Sequence, residues 1–417
     1  MDSTSIPSSS PERRLLMIYV HVPFCTSKCH FCDWVQPIPK SELLLKPADE
    51  PRRRYIDALV TEIRTRGPEL MAAGAIPYVV YWGGGTASSL DPSEAERIMG
   101  AISEAFDLGQ VVESTIECSP ETVSLDKLRR FRALGFNRFS SGVQSLDPQR
   151  LRKLGRSHDA DQARTVTRWA QEAGFGRINI DLMCGFPDET LEEVEQMMAA
   201  ALELPVTNLS IYAFRPTPGT IVRKRMDGQA ETEYLIRELQ SFARARTLAR
   251  GAGLPEYAVG YFGPPALNVV MPFQLRLETI GFGSGAVSFL DGKYHGHNKG
   301  HFTQYIEDPL RWDYTSQANS APVAFSLMRS GLSVYDGLLR REWRHQTGVE
   351  LDEILADPML APVMQYLRSS GKLIEDERGI RLPRSTAANV IVELAFRGSM
   401  GQTQARQPHR RVQLELA

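Results

Sequence analysis

The chain has 417 residues, of which 42% are hydrophobic and 24% charged, ordinary values for a globular protein of about three domains. This composition excludes disorder, collagen or coiled coil over the whole chain. Lys and Arg total 48 against 50 Asp and Glu, and the net charge of −2 predicts no nucleic-acid partner. No apolar run is long enough to cross a bilayer, so we expect no membrane partner, and the polar residues 1–14 are expected to form a disordered tail.

Strand-like and helix-like patterns alternate from about residue 15 to residue 215. The predicted strands are Leu15–Val22, Ile76–Trp82, Ser114–Cys118, Phe136–Ser141, Arg177–Met183 and Asn208–Phe214. The predicted helices between them are Arg52–Arg66, one beginning after Asp91, Leu125–Leu134, Asp159–Ala173 and one beginning after Thr190. Because parallel strands are connected by crossover helices, this order predicts an α/β fold, a partial (β/α)6 barrel of the TIM type.

The alternation ends after Gly219. A long helix is predicted over Glu231–Arg250, and a β-hairpin over Leu373–Leu382 follows further helical stretches, as in a winged-helix module. The expected domains are a tail at 1–14, the barrel at 15–225, a connecting α/β segment at 226–325, a C-terminal helical module at 326–396 and a polar tail at 397–417.

Distinctive motifs follow the predicted strands one after another. The segment Cys25–Cys32 follows the first strand and Gly83–Thr86 the second, while Glu117, Gln144 and Asp181 lie at the third, fourth and fifth. In barrels of this type the functional residues lie at the C-terminal ends of the strands. The sequence therefore predicts one site at that rim.

Three of the five cysteines, Cys25, Cys29 and Cys32, lie within eight residues. Thiols at this spacing cannot all pair as disulfides, so the pattern favours a metal centre. An iron–sulfur cube held by three thiolates leaves one iron able to bind a small molecule. The alternative is a zinc knuckle that uses His21 or His30 as its fourth ligand.

The remaining cysteines and the other histidine-rich segment favour structural roles. Cys118 and Cys184 are interpreted as small buried hydrophobic residues. The segment HGHNKGH contains His295, His297 and His301 at spacings seen in metal sites, but no acidic ligand lies near it in the sequence. We therefore expect a hydrogen-bonding loop there.

The cysteine loop YVHVPFCTSKCHFC (19–32) resembles that of radical S-adenosylmethionine (SAM) proteins, in the branch of oxygen-independent coproporphyrinogen dehydrogenase and its heme-chaperone relatives. Further blocks resemble that branch in order: WGGGTAS (82–88), IECSPET (116–122), SGVQSLD (141–147), LGRSHD (154–159), NIDLMCGFPDET (179–190), SIYAFRPTPGT (210–220) and GFGSGAVS (281–288). The resemblance covers about residues 15–395.

The resemblance implies a [4Fe–4S] cluster on Cys25, Cys29 and Cys32 and two SAM molecules as cofactors. The residues that it implies for the first SAM are Tyr19, Gly84, Glu117 and Val287. Those that it implies for the second SAM are Phe31, Gly85, Thr86, Gln144, Arg156, Asp181 and Ala213. No residue is assigned as a catalytic acid or base. Flavodoxin or ferredoxin is the expected electron donor, and the oxygen sensitivity of an open cluster fits the cytoplasm.

Three departures from the branch guide the functional prediction. Trp34 stands where the dehydrogenase has an extra Cys, residues 267–272 (LNVVMP) replace a His-Asn-x-x-Tyr-Trp block of the heme chaperones, and the loop at 34–51 is long and Pro-rich. We therefore expect a class C radical SAM methyltransferase that methylates an sp2 carbon of a thiazole or indole, on a small molecule or modified peptide in antibiotic biosynthesis. The alternatives are a cyclopropanase or methylene transferase, coproporphyrinogen III dehydrogenase and a heme chaperone.

Overall fold

The computed structural model describes residues 13–32, 39–216, 220–225, 231–297, 302–358 and 360–384. The strands are β1 (Arg14–Val22), β2 (Ala75–Gly84), β3 (Glu113–Cys118), β4 (Arg138–Gln144), β5 (Arg177–Cys184), β6 (Asn208–Ala213), β7 (Glu256–Ala258), β8 (Tyr261–Phe262), β9 (Glu278–Phe282), β10 (Val287–Leu290), β11 (Lys293–Gly296), β12 (Tyr314–Gln317), β13 (Leu338–Leu339), β14 (Ile374–Asp376) and β15 (Gly379–Arg381). The helices are α1 (Lys40–Leu43), α2 (Glu50–Ala72), α3 (Pro92–Ala105), α4 (Leu125–Ala133), α5 (Pro148–Leu154), α6 (Ala160–Glu172), α7 (Leu191–Leu202), α8 (Ile221–Arg225), α9 (Glu231–Gly251), α10 (Leu267–Phe273), α11 (Thr303–Glu307), α12 (Ala321–Ser333), α13 (Arg340–Thr347), α14 (Leu351–Leu355) and α15 (Ala361–Ser369).

Strands β1 to β6 lie side by side in chain order and pair in parallel, which is the predicted partial barrel. Beyond β1 the same sheet continues through β9, which is parallel to β1, and then through antiparallel β10, β11 and β12. At the other edge β8 and β7 add antiparallel to β6. The α/β fold class is confirmed, and the sheet extends past both edges of the predicted barrel.

The helices begin where the sequence places their caps. Asp91, Asp159 and Thr190 each form the reciprocal hydrogen bonds of a capping box. Helix α2 continues six residues beyond the predicted end at Arg66, and it does so through Gly67, which lies directly against Ala105 of α3. Helix α5 was not predicted, although Asp147 caps it by accepting hydrogen bonds from two backbone amides of its first turn.

The C-terminal segment contains the three-stranded sheet β13–β15–β14 together with α12 to α15. It has its own apolar cluster, which includes Leu332, Trp343 and Leu367. The predicted hairpin is confirmed, since β14 and β15 pair antiparallel. The predicted tail at 397–417, residues 1–12, Trp34 and His301 lie outside the described residues. Within the described part of the chain, no helix is long and apolar enough to span a membrane.

Candidate active site

A cleft opens at the C-terminal ends of the barrel strands, where the cysteine loop meets β2 to β5. Its empty volume, which includes open solvent, is about 750 Å³. It is lined by Cys25, Thr26, Ser27, Cys29, Phe31, Cys32, Gly85, Thr86, Glu117, Cys118, Ser119, Glu121, Gly142, Gln144, Arg156 and Asp181.

Backbone hydrogen bonds hold the cysteine loop against the rim. The amide of Cys25 donates to the carbonyl of Leu43, and the amides of Gly85 and Thr86 donate to carbonyls of residues 22 and 24. Gly85 packs so closely that a Cβ there would lie 2.8 Å from the Phe24 carbonyl oxygen. Only glycine fits this approach between β2 and the loop.

Two side chains donate hydrogen bonds to thiols of the cluster motif. The Thr86 hydroxyl lies 3.6 Å from Cys25 Sγ, and Arg156 Nη1 lies 3.1 Å from Cys29 Sγ. Burial raises the pKa of Cys25 to about 12, and the hydrogen bond from Thr86 opposes this shift. A positive guanidinium and a hydroxyl beside these sulfurs fit a cluster held by thiolates.

The geometry does not favour the zinc alternative. A zinc ion needs ligands that converge on one point, and no group of three or more His, Cys, Asp or Glu among the described residues could hold a single ion. The nearby histidines have other contacts: His21 Nδ1 lies 2.9 Å from the Tyr19 hydroxyl, and His30 Nδ1 lies 2.9 Å from the Lys153 carbonyl oxygen. An iron–sulfur cube distributes its thiolates over separate irons.

Glu121 connects the cysteine loop to the strand ends. Its carboxylate accepts hydrogen bonds from Thr26 (2.9 Å), Ser157 (2.9 Å) and Ser119 (2.6 Å). Burial disfavours its charged form, but a hydrogen bond from His158 and the positive charge of Arg156 hold the pKa of Glu121 well below its usual range. The residue is therefore a fixed negative charge at the rim.

Ser119 and Glu121 were missed as site residues, although both belong to the block IECSPET. Arg156 explains their importance, because its Nη2 donates to Ser119 Oγ at 2.7 Å and to the Gly142 carbonyl at 2.8 Å. The signal in the sequence was their position just after a barrel strand, where polar residues face the site.

Two buried acids lie on the wall of the cleft. Burial, together with the charge of Asp181, raises the pKa of Glu117 to about 7, although the Tyr81 hydroxyl donates a hydrogen bond to its carboxylate and opposes the shift. Burial also raises the pKa of Asp181 to about 6, although a hydrogen bond from Asn179 opposes the shift. Each group titrates near neutral pH, so either can hold or release a proton there.

The structure brings most of the predicted site residues together. All three cysteines line the cleft, as do Phe31, Gly85, Thr86, Glu117, Gln144, Arg156 and Asp181. Gln144 ends β4 with a φ of 67°, a left-handed conformation that is unusual for a residue with a side chain. Such strain is commonly kept at functional positions.

Four predicted site residues do not line this cleft. Tyr19 stacks on Tyr81 with ring centroids 6.0 Å apart, and Gly84, at a φ of 108°, turns its backbone against the ring of His21. Ala213 pairs with Cys184 at the end of β6, and Val287 begins β10. Their predicted contacts with SAM remain predictions.

The remaining cysteines and histidines are in structural surroundings. Cys184 is fully buried in an apolar cluster, whereas Cys118 lies at the cleft, where burial raises its pKa to about 12. His297 Nε2 lies 3.1 Å from a carboxylate oxygen of the buried Glu62, and His295 Nδ1 lies 2.9 Å from the Thr315 hydroxyl. The described histidines of this segment therefore form hydrogen bonds between elements.

Residues 19–201 match the family model described as the radical SAM superfamily. Over these residues the barrel is similar to the radical SAM family, a similarity that points to a [4Fe–4S] cluster and SAM as cofactors.

Similar proteins extend the comparison beyond the barrel. The heme chaperone HemW of Bacillus subtilis (strain 168) is 26% identical over 382 residues, which cover 86% of this chain and 97% of the relative. The oxygen-independent coproporphyrinogen III oxidase of Escherichia coli (strain K12) is 28% identical over 311 residues, which cover 71% of this chain and 66% of the relative. The solved structure of coproporphyrinogen III oxidase (HemN) from Escherichia coli superimposes with a TM-score of 0.72 at 24% identity, covering 93% of this chain and 91% of that one, and confirms the fold.

The predicted methyltransferase function is wrong. The relatives that match most of the chain are named heme chaperones and coproporphyrinogen III oxidases, so a thiazole or indole acceptor in antibiotic biosynthesis has no support. The prediction depended on groups that are missing, a Cys at Trp34 and a His at Leu267. A missing ligand shows what a site does not bind, and it does not identify another reaction.

Proposed function

We propose that this chain is a SAM-dependent radical enzyme that oxidises a carboxylate-bearing side chain of a tetrapyrrole: one hydrogen atom passes to the SAM-derived radical, one electron passes to an external one-electron acceptor, and the carboxylate leaves as CO2. The main support is a single cleft in which the cysteine loop faces two acids that titrate near neutral pH. The chain-wide similarity to proteins named for coproporphyrinogen and heme supports a tetrapyrrole over other substrates.

Cys25, Cys29 and Cys32 would hold the [4Fe–4S] cluster, whose open iron takes SAM. When bound and reduced, the cluster and SAM together supply a 5′-deoxyadenosyl radical that removes hydrogen from a substrate carbon. The residues of this chain would orient the cluster and SAM. Arg156 positions Cys29 through its 3.1 Å contact, and Gly85, which has no Cβ, lets the cysteine loop lie directly against the end of β2.

The polar residues of the cleft suit the ribose and amino-acid parts of SAM. Carboxylates at Glu117 and Asp181 accept hydrogen bonds from hydroxyl or ammonium groups, and Gln144 both donates and accepts. We propose that two SAM molecules bind. The cleft supports the second site, since nearly all residues that the resemblance implies for it line the same wall. Equilibrium dialysis should count two SAM per reconstituted chain, and a count of one contradicts this part of the proposal.

Heme binding is the second candidate function. It is favoured by alignment over 97% of the length of the Bacillus subtilis heme chaperone. The contacts of α10 oppose it, since Leu267 stands where the resemblance places the heme-ligating His. The Leu267 amide donates to Glu113 at 3.1 Å, and this end of the helix packs on the barrel's apolar wall.

Anaerobic turnover distinguishes the two candidates. The reconstituted protein is incubated with dithionite, SAM and coproporphyrinogen III, and 5′-deoxyadenosine and CO2 are measured. The proposed enzyme forms both products, and their amounts rise with the porphyrinogen. Stoichiometric heme uptake without CO2 release would instead establish the binding function.

A further inference from the structure

The inside of the barrel beneath the cleft has two chemically different walls. One wall is apolar and is built by Leu15, Met17, Val79, Met271 and Leu277. The opposite wall consists of alternate residues of β3 to β6, which point to the same face as the cleft acids. Its polar members include Thr115, Glu117, Arg138, Ser140, Asn179, Asp181 and Ser210.

Arg138 is the positive charge on this polar wall. It is only 3% exposed, and its buried Nε has no hydrogen-bond partner among the described residues. Burial opposes its charge, but the negative charge of Glu113 raises the pKa of Arg138. Its register partner on β3 is Thr115, which is fully buried and whose hydroxyl also lacks a partner. Two orphaned polar groups therefore lie side by side on neighbouring strands.

The acids near Arg138 are already engaged by other donors. Glu113 accepts from Arg177 Nη1 at 2.6 Å and from two backbone amides of α10 at 3.1 Å. Asp181 accepts from Asn179 at 2.9 Å. These carboxylates contribute charge from a distance, but neither forms a direct pair with the Arg138 guanidinium.

A buried guanidinium without a bound anion is costly, and native proteins rarely leave one so. Its planar fork suits a carboxylate held by two parallel hydrogen bonds. A strand rises about 3.3 Å per residue, so Arg138 lies roughly 13 Å along β4 from Gly142 at the cleft. A ligand that contacts Arg138 and also reaches the cleft at Gly142 is a large organic molecule with a carboxylate at one end.

We propose that Arg138 binds a carboxylate of the substrate inside the barrel, with the Thr115 hydroxyl as a second donor. The body of the ligand then lies along the apolar wall, and another of its side chains reaches the cleft. The identification of the ligand as a tetrapyrrole propionate rests on the proposed function. The site itself follows from the two orphaned groups.

The test compares coproporphyrin III with its tetramethyl ester, in which every carboxylate is blocked. Binding to the reconstituted wild-type protein is followed by porphyrin absorbance under identical detergent. The acid should bind at least 10-fold more tightly than the ester. Arg138→Gln should abolish this preference while leaving ester binding unchanged. Arg130→Gln, at an exposed position on α4, is the matched control and should behave as wild type.

Cluster absorbance and melting temperature report whether each variant folds. If Arg138→Gln does not fold, Thr115→Val serves instead and should weaken binding of the acid alone, by roughly 3- to 10-fold. Equal wild-type affinity for acid and ester, or a preference that survives in a folded Arg138→Gln, overturns the role of Arg138. A wild-type protein that binds neither porphyrin overturns the tetrapyrrole substrate and this site with it.

Discussion

At the residue scale, the contacts of Cys25 and Cys29 differ from those of Cys184. Thr86 and Arg156 donate to Cys25 and Cys29, whereas Cys184 is enclosed by apolar side chains on β5 and β6. Removal of the Cys29 thiol should therefore abolish cluster binding, whereas removal of the Cys184 thiol should leave it intact.

Cys29→Ala should abolish the cluster absorbance of the anaerobically reconstituted protein, because a cube held by two thiolates loses a ligand that no other group replaces. Cys184→Ala is the matched control. It should keep the full absorbance, since it removes only a small buried hydrophobic group. A Cys29→Ala protein that retains the cluster would disprove the ligand assignment.

Glu117 should make the cluster-free protein less stable as the pH rises. Its folded-state pKa of about 7 lies above the usual 4.5, so the folded state binds more protons than the unfolded state between these values. The free energy of unfolding should fall by roughly 2–3 kcal/mol from pH 4.5 to pH 7.5 on account of this group. Asp181 acts in the same direction at a lower pH.

The isosteric variant Glu117→Gln removes that titration and leaves an acceptor for the Tyr81 hydroxyl. Its free energy of unfolding, from urea titrations at several pH values, should fall less steeply than that of the wild type over this range. Identical slopes for the two proteins would show that Glu117 does not titrate as proposed.

The sequence predicts the site well where a residue type and its spacing carry the chemistry. Cys25, Cys29 and Cys32 belong to this class, and so do Glu117 on β3 and Asp181 on β5. Arg138 and Thr115 do not, because the absence of a partner is visible only when the neighbouring strands are in place. The predicted reaction was wrong because it was based on Trp34 and Leu267, which show only that certain ligands are missing.

At the element scale, helices α2 and α3 pack against each other at a glycine. A Cβ added at Gly67 would lie 2.6 Å from Ala105 Cβ, so Gly67→Ala should force the helices apart and cost about 1–3 kcal/mol. Gly100, in the middle of α3, has open space, and Gly100→Ala should stabilise by about 0.5–1 kcal/mol. Urea unfolding measures both, and a stabilised Gly67→Ala would contradict the packing.

Glu62 forms hydrogen bonds that connect α2 to the segments following β9 and β11 and to α11. It is fully buried and accepts hydrogen bonds from the Gly283 amide (3.0 Å), the Tyr305 hydroxyl (2.8 Å) and His297 (3.1 Å). Glu62→Ala leaves these donors buried without an acceptor and should lower the free energy of unfolding by roughly 3 kcal/mol.

The exposed Glu69 on the same helix is the control for this contact. Glu69→Ala should change stability by no more than about 0.5 kcal/mol in the same urea titration. Equal small effects of the two substitutions would show that the Glu62 contacts do not hold α11 and β9 in place.

Local signals explain which elements were predicted. Capping boxes at Asp91 and Thr190 fix two helix starts, and apolar runs fix the six parallel strands. Helix α5 is only seven residues long, too short for a periodic apolar pattern, and its Asp147-Pro148 start was the available signal. The extension of α2 through Gly67 depends on the contact with α3, which no local pattern contains.

At the scale of the whole molecule, the largest unpredicted feature is the parallel pairing of β9 with β1. Tyr19 lies opposite Gly281 in that pair, and so a segment far along the chain becomes part of the barrel wall. Parallel pairing over such a separation leaves no periodic signal, because both strands are buried along almost their whole length. The pairing brings the GFGSG turn to the rim where the cysteine loop begins.

The central claim is that the radical formed at the cleft removes hydrogen from a tetrapyrrole side chain inside the barrel. The most direct measurement uses coproporphyrinogen III deuterated at the propionate carbons, with anaerobic protein, SAM and dithionite. We predict that deuterium appears in 5′-deoxyadenosine as CO2 is released. 5′-Deoxyadenosine that forms without deuterium, at a rate independent of the porphyrinogen, would contradict the claim.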